Sequence, residues 1–111
     1  MSTCVNAELI DAIYDTLTDL NSGTHPRTLD EWTHIAERIG WKVRHVPSHI
    51  LPEPINIPAI RRIYLPATQR SHLAEQWCAH EVIEALLTWE GREPFVAPVT
   101  PHEAATAATS G

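Results

Sequence analysis

Basic residues are scarce in this chain. Eight Lys and Arg stand against fourteen Asp and Glu, a net charge of −6, which disfavours the broad cationic surface that holds a phosphate backbone. Direct binding to nucleic acid is therefore not expected. The only basic clusters are Arg61-Arg62 and Lys42 with Arg44, and alternation of that kind reads as the solvated face of a strand. Cysteine is almost absent. Cys4 and Cys78 do not make a disulfide framework and read as free thiols. No apolar run is long enough to span a bilayer. Met1 to Leu20 carries Asp11, Asp15 and Asp19 and has no basic start, unlike a signal peptide. A cytoplasmic protein is the default expectation.

What remains is ordinary for a globular protein, with 43% hydrophobic and 20% charged residues. A chain of 111 residues fits one domain, 1–111, able to bury roughly two-thirds of its unfolded surface in a modest core. From Val5 to Leu20, Leu9, Ile10, Ile13, Leu17 and Leu20 line one helical face opposite the acidic row Asp11, Asp15 and Asp19. Asn21-Ser22-Gly23 ends this surface helix. Thr28 and Glu31 form a capping box for a second helix with Leu29, Trp32, Ala36 and Ile39 on its buried face and Gly40 as its stop. His34 falls off that face.

Trp41 to Val46 alternates large and charged residues and reads as a half-buried strand. Pro47, Pro52, Pro54 and Pro58 then predict an extended connector without regular structure. Ile60 to Leu65 reads as a second strand, with Ile63 and Leu65 on one face and Arg62 and Tyr64 on the other. Thr68 or Ser71 can cap the next helix, and Gly91 suits its C-terminal stop. Phe95, Val96 and Val99 read as packing residues. Thr100-Pro101-His102-Glu103 opens a last, alanine-rich helix with a Thr cap, Pro at the first helical position and a Glu three residues on.

Between the second strand and that last helix runs the stretch the rest is organised around, Leu73 to Trp89. At 100° per residue, Leu73, Trp77, His80, Glu84 and Leu87 form one stripe, while Ala74, Cys78, Val82, Ala85 and Leu86 fill the other faces. A helix apolar nearly all round is central and buried. An imidazole and a carboxylate in its stripe are costly unless paired, protonated or metal-bound. His80 and Glu84, at i and i+4, point the same way and can share one metal ion. Glu81 points about 100° aside, where a carboxylate can take a proton from a water that the ion activates. That is the logic of HExxH with Glu84 in place of the second histidine. Zinc is the first expectation, with manganese or iron admitted by the harder, more anionic donor set. The third ligand is Glu103 or the adjacent His102, and the capping box explains Glu103 without any metal. His72 reads as a supporting or surface residue.

The flanks carry a resemblance. Ile35-Ala36-Glu37-Arg38-Ile39-Gly40-Trp41-Lys42-Val43, then Ile63-Tyr64-Leu65-Pro66, then Gln76-Trp77-Cys78-Ala79-His80-Glu81-Val82-Ile83-Glu84-Ala85-Leu86-Leu87 resemble the helix, strands and active-site helix of the ImmA/IrrE family of small zinc metallopeptidases. The likeness covers about residues 29 to 108. It implies an α+β, gluzincin-like fold, in which a small twisted sheet packs against a central active-site helix with flanking helices. It also implies a metal between that helix and the one after it. The family's third ligand is an acidic residue of the following helix, and Glu103-Ala104-Ala105-Thr106-Ala107 is the similar position here. On that analogy His80, Glu84 and Glu103 are ligands and Glu81 the general base.

Family members cleave a partner transcriptional repressor in stress responses or mobile-element induction, and some are encoded by phages. The expectation is therefore a zinc-dependent peptidase acting on a partner protein, with Tyr64 or His102 stabilising the developing oxyanion. A substrate segment would add along Ile60 to Leu65. A chain that stops soon after the third ligand leaves an apolar surface for a second copy to cover. The rival expectation is an inactive pseudopeptidase, an interaction module in which Glu84 pairs with His80 or an arginine and no metal binds. A purely structural metal site lacks a clear fourth ligand.

Overall fold

The computed structural model describes residues 7–88 and 101–109, apart from the side chains of Ala7, Leu9, Pro101, Glu103 and Ala104. The expectations for Cys4, Gly91, Phe95, Val96, Val99 and Thr100 lie outside the described residues. The architecture is α+β: α1 (Ala7–Leu20), α2 (Leu29–Arg38), β1 (Lys42–Val46), β2 (Ile55–Ile57), β3 (Arg62–Pro66), α3 (Ser71–Leu87) and α4 (Pro101–Thr109), with a 3-10 turn at Pro58–Ile60. The sheet is mixed and ordered β1-β3-β2. β1 runs parallel to β3, and β2 antiparallel to it. None of the described helices is long and apolar enough to cross a membrane.

Local chemistry accounts for the first half of the chain. Asp11, Asp15 and Asp19 are exposed on α1, while Ile13 and Leu17 are fully buried. After α1, Gly23 takes a left-handed φ of 92° and donates its N–H to Thr18 O at 2.9 Å. At the start of α2, Glu31 N–H donates to Thr28 Oγ1 at 3.2 Å. The Glu31 carboxylate reaches back to accept from Arg27 N–H at 3.3 Å and from Asn21 Nδ2 at 2.6 Å. The Asn21 bond is the main reason its pKa lies below the ordinary value. The other end of α2 is a Schellman closure: Gly40 has φ 88°, and Trp41 N–H returns to Ala36 O at 2.9 Å. That turn aims the chain straight into β1.

Two expectations fail in the middle of the chain. The proline-rich connector is not wholly irregular, because Ile55-Asn56-Ile57 pairs with β3 as an edge strand. Pro54 and Pro58 flank those three residues, and an edge strand tolerates prolines at its ends, where no ladder bond is lost. In consequence β3 is central, with partners on both sides. Ile60 to Leu65 is therefore not an edge to which another segment can add; among the described strands β1 and β2 hold the edges.

The core lies between the inner face of the sheet and the helices. Val43, Ile63 and Leu65 project inward to meet Ile35 and Ile39 of the α2 region and Cys78, Val82, Ile83 and Leu86 of α3. Each fully buried aliphatic side chain of this kind contributes about 1.5–3 kcal/mol. Neither Thr68 nor Ser71 caps α3: Arg70 occupies the cap position without a side-chain bond, and Thr68 Oγ1 accepts from Arg70 N–H instead. At its far end the Thr88 hydroxyl donates to Ala85 O at 3.0 Å. α4 packs on α3 and α1, burying Ala105 and Ala108, and the Tyr14 hydroxyl donates to Ala108 O.

Gly40 gives a direct check on the α2–β1 turn. A Cβ there would sit 3.4 Å from Arg61 Nη1, in a left-handed backbone conformation. Gly40→Ala should cost about 1 kcal/mol and lower Tm by roughly 5 °C in a thermal unfolding experiment. An unchanged Tm would remove the closure from the account of the fold.

Candidate metal centre

Three ligand-type atoms converge where α3 meets α4. His80 Nε2 lies 2.7 Å from Glu84 Oε2, one turn further along α3. His102 Nδ1, from the first turn of α4, lies 3.2 Å from Glu84 Oε2 and 3.2 Å from His80 Nε2. The imidazoles meet edge to face, with ring centroids 4.9 Å apart. Bonds of about 2.0–2.1 Å to a tetrahedral ion would place its ligand atoms roughly 3.3 Å apart. The triangle is thus close to the size one ion requires, and two imidazole nitrogens with one carboxylate oxygen are a donor set that zinc accepts.

The helix stripe predicted to be buried is in fact its half-exposed one. Leu73, Trp77, His80, Glu84 and Leu87 are each intermediate, and the side chains of His80 and Glu84 are both 20% exposed. Glu84 faces His102 of α4, while Leu73, Trp77 and His80 line a cleft of about 520 Å³ together with Pro54, Glu81 and His102. The stripe is wet because the sheet and α2 occupy the opposite side of α3. Glu81 is the carboxylate that burial reaches, at 8% exposure. Its Oε2 lies 4.0 Å from His80 Nε2.

Position sets the electrostatics. Burial, reinforced by the Glu84 charge, pushes the Glu81 carboxyl up to about 7 against the opposing pull of His80 and His102. The bond to Glu84 raises His80 above its ordinary value, and burial opposes that rise. For Glu84, burial acts upward, but the bonds from His80 and His102 outweigh it and leave the carboxyl below its ordinary value. Cys78, also on α3, is pushed up to about 12 by burial. It is an inert thiol, not a further ligand or nucleophile.

Of the residues singled out in the sequence, His80, Glu81, Glu84 and His102 come together. Glu103 belongs to α4, but its side chain lies outside the described residues. Tyr64 does not join the group. It pairs with Arg44 and Ile55 on the outer face of the sheet, opposite in parity to Ile63 and Leu65, which point toward α3. His72 is exposed near the start of α3 and also stands apart.

Asn56 escaped the sequence reading. It projects from β2 on the inner face, opposite Ile63, and its Nδ2 donates to Glu81 O at 3.1 Å. Its Oδ1 is buried without a hydrogen-bond partner among the described residues. The alternation Ile55-Asn56-Ile57 was the available signal, masked by the prolines around it.

Comparison with protein-family models, curated proteins and solved structures finds no match to this chain.

The pKa shifts set a pH dependence for the metal-free protein. Glu81, raised from 4.5 to about 7, contributes stability that is complete below pH 4.5 and is lost as pH rises through 7. The raised His80 acts in the same sense above its ordinary 6.5, whereas the lowered Glu84 contributes above 4.5 and loses that contribution on acidification. Urea unfolding in chelator should show stability falling by about 2–3 kcal/mol between pH 5 and 7.5. Glu81→Gln should flatten most of that fall. Stability that rises across the window would contradict the burial assigned to Glu81.

Proposed function

We propose that this chain is a small metallopeptidase-like domain of the ImmA/IrrE kind, in which His80, Glu84 and His102 hold one divalent ion and Glu81 is the general base. The supporting observation is the convergence of those three ligand atoms within 4.8 Å of one another beside a buried carboxylate on the wall of a cleft. The motif resemblance agrees with it in composition. A histidine, a second histidine and an acidic residue make up the family's set, and the same three residue types meet here with the last two exchanged in position. Zinc suits this set best, with manganese or iron as the harder alternatives.

When bound, the ion supplies Lewis-acid polarisation of a scissile carbonyl and lowers the pKa of a water. Glu81, at about 7, is matched to accepting a proton near neutral pH and returning it to a leaving amine. Asn56 holds the Glu81 turn through its carbonyl. His102, 71% exposed along its side chain, leaves the group open to the cleft, where a segment of a protein substrate is to be accommodated. A partner repressor and a cytoplasmic setting belong to this proposal through the resemblance alone.

One observation favours a second reading, a non-catalytic interaction module. Glu84 accepts from His80 and His102 at hydrogen-bond distance, so the three side chains satisfy one another without an ion.

Elemental analysis of the protein, purified without chelator or histidine tag, separates the two. The peptidase reading expects about one equivalent of zinc, manganese or iron, lost in Glu84→Ala and His102→Ala and retained in Glu103→Gln and Glu81→Gln. A protein that takes up no ion even from excess zinc is the module. Loss of the ion in Glu103→Gln with retention in His102→Ala would return the third ligand to Glu103.

A further inference from the structure

The protein is acidic as a whole, yet its charges are segregated. Between Glu37 and Glu75 the only acidic residue is Glu53, while six of the eight Lys and Arg fall there: Arg38, Lys42, Arg44, Arg61, Arg62 and Arg70. The sheet belongs to that stretch, and none of its strands carries an Asp or Glu.

Register brings the cations together. Lys42, Arg62 and Ile57 form one row across the three strands, and Arg44, Tyr64 and Ile55 the next. Both rows lie on the face opposite Val43, Ile63 and Leu65. Lys42 and Arg44 are exposed, and Ile55 is 43% exposed although it is a large aliphatic residue. Lys42 and Arg62 are direct neighbours on strands about 4.8 Å apart, a like-charge pairing that works against the sheet. Among the described residues no carboxylate relieves it, because every ion pair there belongs to the His80, Glu81, Glu84 and His102 group.

We infer that this outer face of the sheet is a docking surface for an acidic protein segment that carries apolar side chains. Charge complementarity selects the occupant: acidic groups would relieve Lys42, Arg44 and Arg62, which have no ion-pair partner among the described residues, and apolar ones would cover Ile55, Ile57 and the Tyr64 ring. A nucleic acid fits less well. It leaves the isoleucines uncovered, finds one half-buried aromatic ring to stack on, and meets the repulsion of a net charge of −6. A second copy offers, among the described residues, the exposed acidic row Asp11, Asp15 and Asp19 of α1, and joining that row to the sheet face is a head-to-tail contact that does not close. The surface is on the opposite side of the sheet from the candidate metal centre, and the inference does not rest on the metal.

Fluorescence anisotropy with a short labelled peptide alternating Glu and Leu tests this at low salt. Saturable binding is expected. It should weaken at least about tenfold in the double variant Arg44→Glu, Arg62→Glu, vanish for the peptide with Gln in place of Glu, and be unchanged by chelator. Should the reversed variant fail to fold by circular dichroism, Lys42→Gln with Arg44→Gln neutralises two exposed positions and must weaken binding in the same direction. The inference is overturned by absence of saturable binding, by equal binding to the folded variants, or by tighter binding of labelled oligothymidine. Sedimentation showing that the protein associates with itself through this face would overturn it equally.

Discussion

An imidazole and two carboxylates within little more than one turn of a buried helix constrain the rest of the molecule. His80, Glu81 and Glu84 cannot all be sealed into the core, because an unpaired buried charge costs several kcal/mol. Helix α3 meets the demand by rotation. It turns Cys78, Val82, Ile83 and Leu86 onto the sheet and α2, and leaves His80 on the wall of a cleft with Glu84 turned toward α4. α4 then brings His102 against that pair, held in place by Ala105, Ala108 and the Tyr14 bond to Ala108 O. Only Glu81 is caught on the buried side of the boundary, and its raised pKa is the result.

The small sheet serves two ends. Three strands of five, three and five residues do not stand alone without a helix layer to cover one face. That face is spent on α2 and α3, and through Asn56 it touches the backbone of Glu81. The other face keeps Lys42, Arg44 and Ile55 in solvent. The candidate centre and the cationic face thus look away from each other, with the thickness of the sheet and helix layer between them.

Much of the site was legible in the sequence, since its central pair is local. An i, i+4 spacing on a helix places His80 and Glu84 together whatever the surrounding fold, and their 2.7 Å contact follows from it. Which neighbour on the last helix completes the group was open between Glu103 and His102. That choice depends on how α4 is rotated against α3, and no spacing in the sequence encodes such a rotation. Tyr64 illustrates the converse. Its parity on β3 was readable, but that parity directs it away from α3, and only the packing of the sheet reveals which face is the inner one.

What the sequence determined by itself is what neighbouring residues decide: the Thr28 and Glu31 cap, the Gly40 turn into β1, the faces of α1 and β3, and the pairing of His80 with Glu84 on α3. Each rests on hydrogen bonds or backbone conformations closed within a few residues. Tertiary structure alone decided that Ile55–Ile57 is a strand, that β3 is central, that Glu81 is more deeply buried than Glu84, and that Lys42 stands beside Arg62. Those outcomes depend on pairing and packing between segments far apart in the chain, where the free energy lies in register and shared burial rather than in any local pattern.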